Sequence, residues 1–387
     1  MKKVLILLVV FSSIVACRKD EMVGVWQKDF MEDIPAEQYM PNASREVITL
    51  ESGVTVNKID SVYVLGGDMI LNDRQLELLN CPQSRGAMTS TLSNYWPRGE
   101  VYYDIDSKFG DNSAVVKAMT MISDVCGVKF IRRTNQNDYI YLVPSDTSNA
   151  SMVGKQGGRQ LIYIADRNVA GIIAHEIMHS LGIYHEMSRK DRDNYITINW
   201  GNIESGASNN FHQYSSYDIG GFDYNSIMMY SSTDFAIDLS VGSFTTKNGE
   251  FIYKQRSFIS NSDALALRFI YGPTYCKEVV DVDENIREGL DYIDYSAGIT
   301  RTITFYSDSS YTTPAPLSED RLFVITRTEE SVTGSGSAVP HVTEERIIMH
   351  AGTTSYTVED REYYTIDRGD LREHYKTETN VRSVIWY

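Results

Sequence analysis

No block of lysine and arginine interrupts this chain, and no apolar run reaches the roughly 20 residues that a membrane-spanning helix needs. The first absence speaks against nucleic acid as a partner, because phosphate binding requires a basic footprint. The formal charge is instead −16, and an acidic surface of this kind serves solubility. There is no internal repeat and no strong low-complexity tract. Cysteine is scarce, with four residues at positions 17, 81, 126 and 276. What is present is ordinary globular material: 42% hydrophobic residues in 387, enough for a sizeable core and for two or three domains.

The N-terminus is patterned. Lys2 and Lys3 precede an apolar run from Val4 to Phe11, which reads as a secretory signal rather than a membrane span. It ends Ile14-Val15-Ala16-Cys17, which resembles the bacterial lipobox, in which the cysteine is acylated and becomes the first residue; an ordinary cleaved signal is the alternative. The resemblance implies a lipoprotein signal over residues 1–16 and a lipid anchor at Cys17, where stable attachment takes more than one acyl chain. It further implies export to an outer membrane or cell surface. The charged patch Arg18-Lys19-Asp20-Glu21 resembles a surface-export signal of lipoproteins, or is solvated linker. An exported chain can form disulfides, and the three remaining thiols leave one unpaired.

Residues 18–85 hold short alternating segments such as Val62 to Leu65 and little helical periodicity. Cys81 to Tyr95 is small and polar, an exposed linker. Strands are predicted at 101–105, 129–132, 139–143 and 161–164. A helix is predicted from Ser113 to about Val125, with Val115, Val116, Met119 and Ile122 on one apolar face, and another from about Asn168. Residues 277–387 carry β-like runs between Gly, Ser, Asp and Pro clusters, and predict a small all-β domain of sandwich type.

Three of the seven histidines fall within residues 175–186, His-Glu-Ile-Met-His-Ser-Leu-Gly-Ile-Tyr-His-Glu. His175 and His179 are one helical turn apart and project from one face. Gly182 lets the chain turn sharply after the helix, bringing His185 round as a third ligand. Three nitrogen ligands leave an open position, the arrangement of a catalytic rather than structural zinc. Glu176 lies beside them as a general base for a water held there.

The pattern H-E-x-x-H-x-x-G-x-x-H is shared by the metzincins. Glu186, Arg189 to Asp193, Tyr195 to Asn199 and Asn202-Ile203 resemble the astacin family signature, and Phe222 to Tyr230 resembles its Met-turn. Tyr95-Trp-Pro-Arg-Gly-Glu-Val-Tyr is similar to the family's opening strand. The resemblance covers about residues 87–276 and implies an α+β, two-lobed, zincin-like protease domain, placed at 86–276, that binds Zn2+ and hydrolyses protein or peptide substrates. It makes Met228 the methionine beneath the metal and Tyr230 a displaceable further ligand that stabilises the transition state. Met229 stands where many members have histidine, a position that is not a ligand. It implies a Cys126–Cys276 disulfide, while a second family disulfide has no cysteines here. It takes residues 161–164 as the edge strand that pairs with extended substrate, and Lys247 as a basic residue in the pocket after the scissile bond, favouring acidic residues there; a solvated loop lysine is the alternative.

The segment 17–85 resembles an astacin pro-segment. Leu65-Gly66-Gly67-Asp68 is similar to the family's F-x-G-D element, with Leu65 for the aromatic. This implies that Asp68 occupies the metal and keeps the chain latent. A thiolate can also cap zinc, so Cys81 is a rival. Cleavage by an activating protease near Arg85 would free a new N-terminus to link, through water, to Glu186, and would detach the protease from the lipid. The different-class alternative is a surface adhesin on a protease scaffold, which would have no need to keep Glu176.

Overall fold

The computed structural model of the protein describes residues 36–80, 95–214, 217–307, 309–333 and 340–383. The expected signal sequence, Cys17, Cys81 and the expected cleavage stretch at Arg85 lie outside the described residues. The N-terminal segment forms strands β1 (Glu46–Thr49), β2 (Thr55–Ile59), β3 (Val62–Leu65) and β4 (Met69–Leu71), joined in sequence by antiparallel pairing. A helix, α1 (Asp73–Asn80), follows. The sequence does not announce it, because eight residues make only about two turns.

The central region runs β5 (Glu100–Ile105), α2 (Ser113–Ser123), β6 (Lys129–Arg132), β7 (Tyr139–Pro144), β8 (Ala150–Met152), β9 (Arg159–Ile164), α3 (Ala170–Ser180), β10 (Ile196–Ile198), β11 (Phe244–Thr246) and α4 (Asn261–Tyr271). The predicted strands and helices are all found. Helix α2 buries Val115, Ala118, Met119 and Ile122, a spacing of three and four residues. Val116, expected on that face, is 53% exposed, because each residue turns about 100° from the last. Helix α3 is buried on every side, its apolar residues in the core and His175, Glu176 and His179 facing the site. A Cβ on Gly171 would lie 1.8 Å from the carbonyl oxygen of Arg256, so only glycine lets the two segments meet.

One nine-stranded sheet, in the order β1-β2-β3-β4-β8-β9-β7-β5-β6, spans both the N-terminal segment and the central region. Strand β4 runs parallel beside β8, with Met69 opposite Ser151 and Ile70 opposite Met152. The backbone N–H of Ser151 donates to the carbonyl of Asp68 at 2.9 Å. Strand β9 is therefore not the edge strand expected at residues 161–164: β7 and β8 flank it. The outermost protease strand on that side is β8, and β4 covers it. Strand alternation marks which faces are buried but not which neighbour pairs, so the order could not be read locally.

The C-terminal region is all-β. Its strands are β12 (Tyr275–Glu288), β13 (Tyr292–Tyr306), β14 (Arg321–Thr333), β15 (His341–Met349), β16 (Ser355–Asp367) and β17 (Asp370–Ser383). They are hydrogen-bonded into one continuous antiparallel sheet, β12-β13-β16-β17-β14-β15. Leu322 of β14 is fully buried in the core shared by α2, α3 and α4. Arg268 of α4 pairs with Glu319 at 3.0 Å, and Arg321 joins the same carboxylate.

The implied Cys126–Cys276 disulfide is not formed, and both residues are free thiols. Cys276 already belongs to β12 and packs with Ile303, Phe305 and Phe323 in the C-terminal core. Cys126 packs against the protease core, with its Sγ directed to the carbonyl of Ile122. The two thiols thus sit in separate cores.

Candidate metal centre and active site

The three histidines converge. Helix α3 supplies His175 and His179, and its C-terminal end carries the turn. Gly182, at φ 95°, donates to the carbonyl of His179, and Ile183 donates to that of Met178. This pair of bonds is a Schellman motif, and it swings His185 back beneath the helix. The Nε2 atoms of His179 and His185 lie 3.2 Å apart, and those of His175 and His185 3.4 Å apart. Each helix histidine is oriented through its other nitrogen. His175 Nδ1 contacts the carbonyl of Ile227 at 2.9 Å, and His179 Nδ1 that of Ile183 at 2.8 Å. Those carbonyls can only accept, so each Nδ1 carries the proton and each Nε2 presents a lone pair. Burial, reinforced by Arg256, pushes His175 down to about 4, keeping the ring neutral.

Asp68 completes the cluster. Its Oδ2 lies 3.1 Å from His185 Nε2 and 3.4 Å from His175 Nε2, and its Oδ1 lies 3.6 Å from His179 Nε2. The four ligand atoms fall within 4.8 Å of one another, and all four residues are buried. Lone pairs facing each other at this range repel unless a cation lies between them. Four ligands at about 2.0–2.1 Å in a tetrahedron stand roughly 3.3–3.4 Å from one another, close to the spacings here. The donor set therefore fits zinc. Burial alone would raise the Asp68 carboxyl, but the facing His185 and His179 hold it well below the usual range.

Glu176 is fully buried, and neither carboxylate oxygen has a hydrogen-bond partner among the described residues. Burial, with Asp68 and Glu37 nearby, pushes its carboxyl well up. Met228 is buried in the core beneath α3. Tyr230 is also buried, and its hydroxyl donates to the carbonyl of Gly66 rather than joining the cluster. Gly66 and Gly67 take φ values of 61° and 92°. A Cβ on Gly67 would come within 3.2 Å of the Tyr230 hydroxyl, and one on Gly66 within 3.2 Å of His185 Nδ1. The glycines let the backbone lie directly on the site and aim Asp68 into it.

Glu186 accepts from the backbone N–H of Asp223 at 2.8 Å and lies 3.7 Å from Arg189. Burial pushes it up to about 8 despite that arginine. It lines a cavity of about 90 Å³ with Tyr95, Met228, Asp263 and Phe269. Lys247 is exposed after β11, with its backbone N–H donating to the carbonyl of Tyr195. Its neighbours Thr246 and Asn248 line an open surface depression with Tyr224 and Tyr253.

Sequence reasoning missed a buried ion cluster. Glu37 receives a 2.7 Å hydrogen bond from Arg256 Nε and lies 3.5 Å from Lys254 Nζ, which is also 3.2 Å from Asp234. Its only signal is the alternation Lys254-Gln255-Arg256, which otherwise reads as a solvated strand.

The model of the astacin peptidase family matches residues 88–272. Flavastacin from Elizabethkingia meningoseptica is 39% identical over 199 residues, covering 49% of this chain and 45% of that protein. Zinc metalloproteinase nas-15 from Caenorhabditis elegans is 35% identical over 185 residues, covering 46% of this chain and 32% of that protein. The chain thus spans less than half the length of either. High choriolytic enzyme 1 from Oryzias latipes is 31% identical over 230 residues, with 81% of its length covered. The solved structure of that hatching-enzyme zinc protease gives a TM-score of 0.43 at 31% identity, covering 46% of this chain and 94% of that one. By its zinc-ligand pattern and by these sequence likenesses, the chain belongs to the astacin family.

Proposed function

We propose that the chain is a zinc-dependent endopeptidase, made latent by its own residues 17–85. The observation that carries this reading is Asp68 seated among His175, His179 and His185. Zinc, when bound, supplies Lewis acidity and lowers the pKa of water toward neutrality. Glu176, buried with both oxygens unengaged among the described residues, accepts a proton from water and delivers it to the leaving amine. Tyr230, released from the Gly66 carbonyl, donates to the oxyanion that develops at the scissile carbonyl. While Asp68 and Gly66 are in place, the ligand position and the oxyanion donor are both taken.

Cleavage after Arg85 would create a free ammonium at Gly86, nine residues before Tyr95. The cavity bearing Glu186 and Asp263 offers it two carboxylates that burial pushes toward protonation and that a cation would hold ionised. Export as a lipoprotein anchored at Cys17 accounts for the N-terminal pattern. The test is to cut the chain within residues 81–94 and assay an unfolded protein substrate. The uncut chain should be nearly inactive, the cut chain active once its N-terminal fragment has been separated from it, and a zinc chelator should abolish that activity; chelator-resistant cleavage would overturn the assignment.

We assign Lys247 to the subsite after the scissile bond. Lys247→Ala should lower the preference for acidic residues there several-fold in a peptide-library profile, and an unchanged profile would remove it from that role.

A further inference from the structure

The metal is not the only place where the N-terminal segment puts a carboxylate into the protease. Glu37, before β1, is fully buried, as are Lys254 and Arg256. Arg256 is fastened from behind: its Nη1 donates to the carbonyl of Met229 at 3.2 Å, and its own carbonyl abuts Gly171 of the active-site helix. Its Nε points to Glu37 Oε1, and Nη2 has no hydrogen-bond partner among the described residues. Lys254 reaches both Glu37 and Asp234. Two cations and two carboxylates thus balance in a buried site wedged between the Met-turn and α3. Three of the four belong to the protease. Without Glu37, the protease keeps two cations and one carboxylate.

We infer that Lys254 and Arg256 form a carboxylate-binding site whose ligand in the uncut chain is Glu37, and that this site is a second anchor of the N-terminal segment, made by contacts other than those of Asp68. This rests on reading residues 17–85 as a removable segment. A buried cation that loses its partner is strongly destabilised, so departure of Glu37 is opposed until water or another carboxylate enters. The two anchors are distant in sequence but adjoin in space, the backbone N–H of Tyr39 donating to the carbonyl of Gly67 at 2.9 Å. Glu37 precedes β1, Asp68 immediately precedes β4, and the β4–β8 pairing adds backbone bonds beside it. Cutting the chain near Arg85 breaks none of these contacts. Cleavage and release are therefore separate steps, and a cut protease stays with its segment, and with any lipid on it, until both carboxylates leave. This separates two events that the sequence alone would merge.

The experiment uses the full chain, zinc-loaded and cut once within residues 81–94, and follows the lifetime of the complex by size-exclusion chromatography with a label on the N-terminal fragment. The wild-type fragment should remain bound. Glu37→Gln should shorten its lifetime by roughly 100-fold, the scale of a lost buried charge partner. Glu37→Asp, which keeps the charge on a shorter arm, should fall between the two. Adding Lys254→Met to Glu37→Gln should cost much less than Lys254→Met alone, because the pair acts as a unit. If the Glu37→Gln and Glu37→Asp fragments stay bound as long as wild type, the inference is overturned. Fragment lifetime does not depend on activity. Failure of the latency reading would appear elsewhere, as full activity in the uncut wild-type chain.

Discussion

Glu176→Gln should lower turnover of the activated enzyme by roughly 10²- to 10⁴-fold, the usual range for loss of a general base. The amide has nearly the same shape, so the histidines should keep their positions and their zinc. It cannot take a proton from water, which is the step assigned to the carboxylate. The wild-type carboxyl is fully buried without a hydrogen-bond partner among the described residues. A neutral amide removes the cost of keeping a charge there, so the variant should be at least as stable as wild type. Zinc content, thermal midpoint and hydrolysis of a quenched peptide should be measured on one preparation. A variant with full zinc and near-normal turnover would defeat the assignment.

Asp68→Ala should raise the activity of the uncut chain by roughly 10- to 100-fold, the range of an ordinary inhibitory coupling. The substitution removes the only ligand of the cluster that comes from outside the protease region, leaving three imidazoles and an open position. Activation should be partial, because Tyr230 remains bound to the Gly66 carbonyl and β4 still covers β8. Cys81→Ala, made in parallel, should leave the uncut chain as silent as wild type. Electrophoresis must show residues 81–94 uncut throughout. If the cysteine variant is released and the aspartate variant is not, the thiol is the blocking group.

The metal centre was legible because its geometry is local. A helical period places His179 over His175, and a glycine three residues later supplies the turn that delivers His185. Asp68 was legible through its Gly-Gly-Asp context, whose backbone can lie against the site where a side chain could not. Other features depend on distant partners. Glu37 and Arg256 are 219 residues apart, and a charged residue declares its burial only through the charge it meets. The exchange of β9 for β8 at the edge, and the separation of Cys126 from Cys276, likewise follow from packing order. Val116 departs from expectation for a narrower reason: the buried face of α2 centres near Val115, flanked by Ala118 and Met119, and Val116 lies about 100° beyond it.

Strand β8 is three residues long, and in the uncut chain β4 occupies its outer side. Once β4 is lifted away, the protease gains an open sheet edge. Long flat edges recruit other chains and lead to aggregation, which proteins limit by keeping such edges short. Ala150 to Met152 offers too little backbone to nucleate a growing sheet. The brevity of β8 thus limits the stacking of further strands on an edge that β4 covers in the uncut chain.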